Sequence, residues 1–222
     1  MTKRLVYGLA LAPFVKKVTL VCEYKNLEYE GVPIIPPIQM SEYFLKISPL
    51  KKIPVLAEED FSVADSSVIV AYLEKQYPEI PVYPHNSKQL AYALWIEEYA
   101  DTILNEVCGH RIFVNQIVMP HILKKTSNHN CEESIGLLPP IFNYLEGLVG
   151  QSKTRMLVND DLTIADISLA AQLICLEHCQ IKIDEVCWPH LSSYFNRLLE
   201  EPVIHNAFQA DCIYLEYLKG KP

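Results

Sequence analysis

A proline set directly before a short apolar run constrains this chain more than any other feature. It lies in SPLKKIPVLAEEDFSVADSS, residues Ser48 to Ser67. Proline has no amide to give to a sheet, so Pro54, entering the run Val55-Leu56-Ala57, marks an edge or entry position. The Ile53-Pro54 bond suits a cis geometry, which would turn the Ile53 amide and carbonyl outward for an extended peptide to pair with, as on a sheet edge. A charged turn at Glu58-Glu59-Asp60 and a second short strand follow, and Asp65-Ser66-Ser67 then opens a helix. The hydroxyls, carboxylate and first-turn amides of that cluster suit a ligand carrying both an ammonium and a carboxylate. The stretch predicts a pocket for a short peptide; an ordinary β-hairpin running into a helix is the plainer alternative.

The order Ser48-Pro49-Leu50-Lys51-Lys52-Ile53-Pro54-Val55-Leu56, then Asp65-Ser66-Ser67-Val68-Ile69-Val70-Ala71-Tyr72-Leu73-Glu74, resembles the glutathione-binding half of the cytosolic glutathione transferases. No single piece is specific, but the ordered set at this spacing is. The resemblance implies that Asp65 and Ser66 hold the γ-glutamyl ammonium and carboxylate, that Ile53 supplies main-chain bonds to the cysteinyl part, and that Pro54 fixes that backbone. Lys52 or Gln39 would meet the glycyl carboxylate. The family more often has Glu where Asp65 stands, a shorter arm with the same charge.

Local pattern extends the likeness along the chain. Lys3 to Tyr7 reads as a strand, and Pro13 starts a helix because its fixed φ and missing amide suit the first turn. Val15, Val18, Thr19, Val21 and Cys22 recur at helical spacing. Leu27 to Val32 alternates as a half-buried strand, Pro33, Pro36 and Pro37 impose an extended loop, and Ser41 to Ile47 makes a short helix. With the two strands after Ile53 and a helix from about Asp65 to Tyr77, the order is β-α-β-α-β-β-α, that of a thioredoxin-like domain. PEIPVYP, residues 78 to 84, carries three prolines and can neither continue a helix nor join a central strand.

The expected division is therefore a thioredoxin-like domain over 1–78, a linker over 79–87 and an all-α domain over 88–222. Beyond the linker, Leu90, Leu94, Trp95 and Tyr99 mark one helix face, followed by Ile103, Leu104 and Val107. Further helices are expected over Cys131–Val149, Thr163–Cys179 and His190–Glu200, with a final short one after Pro202. Thr163 and Asp166 form a capping box, the "L-(S/T)-x-A-D" feature that the resemblance places at a buried helix.

Chemistry is less direct. The family stabilises the glutathione thiolate with a hydroxyl, or exchanges disulfides through a Cys, just before a "P-F-x-x-(R/K)-V" run. Here that run is Pro13-Phe14-Val15-Lys16-Lys17-Val18 and the preceding residue is Ala12, which can do neither. Three sources of thiolate stabilisation remain: the first amides of the helix after Ala12, the Tyr7 phenol at the end of the first strand, or Tyr92 or Tyr99 from the second domain. Tyr7 equally reads as a packing residue.

Net charge is −8; residues 1–78 hold 9 basic and 9 acidic side chains, residues 79–222 hold 10 and 18. An acidic second half argues against nucleic-acid binding, which needs basic patches. Lys16, Lys17, Lys51 and Lys52 could still present a local positive field to a small anion. No apolar stretch reaches membrane-spanning length, no signal peptide is evident, and seven irregularly spaced cysteines read as reduced thiols of a cytoplasmic protein. Cys175, His178, Cys179, Cys187 and His190 lack the spacing of a known zinc site and read as buried or interfacial groups, with no metal expected. His110, His121 and His129 are scattered through loops and helix ends, and Glu97-Glu98 and Glu132-Glu133 read as solvated helix faces.

The expectation is a homodimeric glutathione transferase, joining the glutathione thiolate to a hydrophobic electrophile held between its domains. The alternative is a non-catalytic interaction protein resembling the stringent starvation protein. Thiol-disulfide exchange like that of the omega-type proteins is disfavoured, because no Cys opens the first helix.

Overall fold

The structure, a computed structural model, describes residues 3–38 and 40–220. The chain folds as two units, 1–82 and 83–222.

The first unit is built on a four-stranded sheet in the order β2-β1-β3-β4. Strand β1 (Arg4–Tyr7) runs parallel to β2 (Glu30–Val32) and antiparallel to β3 (Val55–Glu58), which pairs antiparallel with β4 (Phe61–Ala64). Helices α1 (Pro13–Tyr24), α2 (Glu42–Ile47) and α3 (Ser66–Gln76) complete the β-α-β-α-β-β-α order. Strand alternation separates the two faces. Tyr7, Val55 and Ala57 meet Ile34 and Phe44 of α2 on one side. On the other, Arg4 pairs with Glu58 at 2.5 Å, and Glu58 accepts from Tyr72 Oη at 2.6 Å and Tyr77 Oη at 3.1 Å. That buried charge is thus paired and multiply hydrogen-bonded, as burial requires.

Strand β2 is shorter than the alternation of Leu27–Val32 suggests. Asn26 takes a left-handed φ of 56° and Leu27 donates its amide back to Cys22 O at 2.8 Å, closing α1. The Glu28 carbonyl is taken by Arg4 Nη1 at 2.6 Å. Main-chain groups spent in this way cannot join the ladder. At the far end of the unit, buried Lys25 Nζ donates to Tyr77 O at 2.8 Å and Ile80 O at 2.7 Å and meets Glu74 Oε2 at 2.8 Å, tying the proline-rich segment to α1.

The second unit is helical. Helix α4 (Ser87–Tyr99) is capped by Asn86 and runs unbroken into a π-wound segment, Ala100–Ile122, whose end shows the wide repeat: Leu123 donates to Val118 O at 2.9 Å. His110 therefore lies inside a helix, not in a loop, and His121 in the last turn of the same segment. Helices α5 (Cys131–Ile135), α6 (Leu138–Gln151), α7 (Ile164–His178), α8 (Pro189–Glu200) and α9 (Pro202–Leu218) follow.

Several expectations are corrected here. Cys131–Val149 is two helices, because Pro139 and Pro140 lack amides and fit only a first turn. The last helix is long, 17 residues, with Ile204, Ala207, Asp211 and Leu215 forming its buried stripe. In α4 the buried face is Ala93, Ile96 and Glu97, while Leu94 and Trp95 point outward. Glu97 is buried and only Glu98 of that pair is exposed.

Helix α7 is the core of this unit. Its first turn is fixed by Asp166, which accepts from the Thr163 amide at 2.8 Å, the Thr163 hydroxyl at 2.7 Å, the Leu157 amide at 3.0 Å and Tyr194 Oη at 2.6 Å. The capping box is thus the hub of a network joining α7, the preceding loop and α8.

Candidate functional site

The site residues of the first unit stand on three segments that meet at the end of β1. Gly8 takes φ 153°, and a Cβ there would lie 2.5 Å from Val15 Cγ2 and 3.2 Å from Ile53 Cβ. The end of β1, the first turn of α1 and the Ile53-Pro54 bend are therefore in direct contact, and only glycine fits between them. The Ile53-Pro54 peptide is cis. Its approach loop is held by buried Ser48, whose hydroxyl donates to Lys52 O at 2.8 Å and accepts the Lys52 amide at 3.1 Å, with Lys51 left-handed at φ 56°. Among the described residues, none of the main-chain hydrogen bonds outside helices and strands engages Ile53.

Helix α3 begins next to this bend in sequence and sheet: β3 and β4 form the hairpin between them, with Val55 opposite Ala64. Asp65 is exposed at φ 79°, and its Oδ1 accepts the amides of Ser67 at 3.0 Å and Val68 at 3.2 Å. A carboxylate in this role satisfies two of the helix's orphan donors and still presents its other oxygen outward. Ser66, buried, is the first helical residue, so its amide has no acceptor within the helix.

Ala12 is the N-cap of α1, extended at φ −71°, ψ 134°, and makes no side-chain cap. The first bond inside that helix is Lys16 N–H to Ala12 O at 2.8 Å. With Pro13 lacking an amide, Phe14 and Val15 supply the free-end amides.

Tyr7 stands apart from this group. Its ring packs in the sheet's α2-side core, with ring centroids 6.2 Å from Tyr43 and 6.3 Å from Phe44. Burial, then Tyr43, pushes its phenol above the usual range, opposite to what thiolate stabilisation asks of a donor. In the second unit, Tyr92 is also raised by burial, and burial and Tyr144 push Tyr99 up to about 12.

Lys52 and Lys51 are exposed beside the bend, whereas Lys16 and Lys17 are buried and do not offer a solvent-facing field. Gln39 lies outside the described residues. The Cys/His group of α7 is not assembled for a metal. His178 Nε2 meets Asp211 Oδ2 at 3.1 Å, Cys175 Sγ donates to Ala171 O at 3.5 Å, and Cys187 is exposed beyond the helix. Among the described residues no group of three or more His, Cys, Asp or Glu could hold a metal ion, and no helix is long and apolar enough to cross a membrane.

Two positioning residues escaped the sequence reading. Gly8 carries no signal in one sequence beyond being a glycine after a strand. Ser48 opens the run that ends at Leu56, and its serine-proline loop start was a visible cue for a side-chain-closed turn.

Comparison with known proteins follows the same division. The sequence matches the family described as "Glutathione S-transferase, N-terminal domain" over residues 6–81 and that described as "Glutathione S-transferase, C-terminal domain" over residues 114–211. It is 25% identical to a glutathione S-transferase of Triticum aestivum over 208 residues, covering 94% of this chain and 92% of that one. It is 26% identical to glutathione S-transferase Z1 of Arabidopsis thaliana, covering 86% and 85%. A glutathione transferase homologue from Drosophila mojavensis, solved with bound glutathione, superposes with a TM-score of 0.77 at 25% identity over 100% of this chain and 99% of that one.

Proposed function

Since this chain belongs to the glutathione S-transferase family, we propose that it binds glutathione at the Ile53-Pro54 bend and the Asp65-Ser66 turn and conjugates it to a hydrophobic electrophile. The observation that carries the reading is the start of α3. An exposed carboxylate, a serine and orphan amides stand together there, two strands away from the cis Ile53-Pro54 bend that packs against Gly8. Such a turn recognises an amino-acid end by charge and by hydrogen bonds at once.

In the reaction, the glutathione thiol loses its proton to solvent. The thiolate then attacks the electrophilic carbon, forming a C–S bond while the leaving group departs with its electron pair. The orphan amides of Phe14 and Val15 and the α1 dipole stabilise the thiolate, in place of a hydroxyl at Ala12. This is modest assistance, so turnover is slow. Lys52, with Gln39, meets the glycyl carboxylate. The protein works as a homodimer in a reducing cytoplasm, consistent with seven free thiols.

Calorimetric titration of glutathione tests this. Wild type binds, and Ser66→Ala weakens binding about tenfold through loss of a hydrogen bond to a charged group. Wild type that ignores millimolar glutathione removes the reading. Binding without turnover of an aromatic halide removes the catalytic half of it and favours an interaction protein.

A further inference from the structure

The loop between α2 and the Ile53-Pro54 bend is closed by one residue. Ser48, the C-terminal cap of α2, is 1% exposed, and its amide donates to Phe44 O at 2.8 Å. Its hydroxyl donates to Lys52 O at 2.8 Å and accepts the Lys52 amide at 3.1 Å, and its carbonyl accepts the Lys51 amide at 2.9 Å. Both main-chain groups of Lys52 are thus spent inside the loop. Ile53, the next residue, takes part in none of the turn and loop main-chain bonds among the described residues. We infer that Ser48 is a positioning residue that divides the ligand between these two neighbours: Ile53 meets the cysteinyl part with its main chain, and Lys52, left only its side chain, reads the glycyl end through charge alone. The inference rests on the glutathione-binding reading above.

Packing and backbone conformation both support the division. Ile47 and Ile53, at either end of the loop, pack against the α2-side core around Phe44 and Val55, while Pro49, Leu50, Lys51 and Lys52 between them are exposed. Ile53 therefore keeps its place through packing, and Lys52 through the Ser48 hydroxyl. Lys51 takes a left-handed φ of 56°, unfavourable for a residue with a side chain, so the exposed stretch does not hold its shape unaided. A main-chain amide or carbonyl recognises a peptide unit by direction and distance, whereas an ammonium acts as a point charge on a carboxylate, with little regard to the residue that carries it. Lys52 held in this way selects a ligand by its terminal charge. Ser48 is buried and acts through Lys52, so its effect is on affinity and charge selectivity, not on the reacting sulfur.

Calorimetry of the full chain with two ligands tests this: glutathione, and its analogue whose glycyl carboxylate is a neutral carboxamide. Wild type binds glutathione about fivefold more tightly than the analogue, the scale of an exposed ion pair. Ser48→Ala weakens glutathione to the level of the analogue and leaves the analogue within about twofold, and Ser48→Thr, which keeps the hydroxyl, restores the preference. Ser66→Ala, at the other end of the ligand, weakens both alike and preserves it. Should Ser48→Ala fail to fold, amide-resolved NMR of wild type decides: saturation with glutathione shifts the Ile53 amide at least about twice as far as the Lys52 amide, which is already bonded to Ser48. A Lys52 amide that shifts as far as that of Ile53, an equal loss or none for both ligands in Ser48→Ala, or a wild type indifferent to the carboxylate overturns the inference and leaves glutathione binding in place. Wild type that binds neither ligand overturns the reading on which it rests.

Discussion

At the scale of single residues, the proposed chemistry turns on position 12. Ala12 already has the extended backbone of an N-cap and offers no side-chain bond, so a hydroxyl introduced there finds the α1 amides within its reach and, on the proposed reading, the thiolate as well. Ala12→Ser is expected to raise conjugation of an aromatic halide by about tenfold, with glutathione affinity little changed. It should also stabilise the protein by about 1 kcal/mol through the new helix cap, read as a higher melting temperature. Tyr7→Phe should change the rate less than twofold, because that phenol is packed against Tyr43 and Phe44 and its pKa is pushed up, not down. The sequence carried Ala12, Asp65 and Ser66 openly, since their types and order are the signal. It left Tyr7 ambiguous, because a strand's face depends on a register that pairs Tyr7 with Val55 across a long sequence gap. The burial of Lys17 was illegible for a related reason: a lysine on an amphipathic helix reads as solvated until the partner that receives its ammonium is placed.

At the scale of elements, the clearest tests are the networks that set helix starts. Asp166 accepts four hydrogen bonds from three residues, so Asp166→Ala should destabilise by about 3–5 kcal/mol, leaving buried donors without acceptors. Chemical denaturation reads this as a lower midpoint, and a change below about 1 kcal/mol would contradict the network's role. Glu146 does the same work for α8, receiving the His190 amide at 3.0 Å and the Leu191 amide at 2.7 Å. Glu146→Ala should therefore lower stability by about 1–2 kcal/mol. The capping box was readable because both partners lie within one turn of sequence. The Glu146 cap was not, since 44 residues separate it from His190. The same limit explains α4, where apolar periodicity pointed to Leu94 and Trp95 but tertiary packing chose Ala93 and Ile96, and α9, whose buried stripe includes Asp211, paired with His178 33 residues away.

At the scale of the whole molecule, the sequence divided the chain by composition and proline content, and the seven cysteines sort by environment. Cys22, pushed up to about 12 by burial, and Cys108 and Cys175 are enclosed, while Cys187 is exposed. Native protein treated with maleimide at neutral pH should lose Cys187 first, and should modify Cys22, Cys108 and Cys175 only on unfolding, as mass spectrometry of peptides would record. Irregular spacing could exclude a disulfide framework but could not rank the thiols, since burial depends on helix packing. What joins residue, element and molecule is the meeting of the Ile53-Pro54 bend, the first turn of α1 and the end of β1, one β-hairpin away from the start of α3. An amide-resolved NMR titration of the full chain with glutathione probes that meeting directly. The largest shifts are expected at Ile53, Ser66 and Ser67, with Phe14 and Val15 following as the sulfur settles over α1; saturation that leaves these amides unmoved, or moves only amides beyond Tyr83, would contradict glutathione binding at this site.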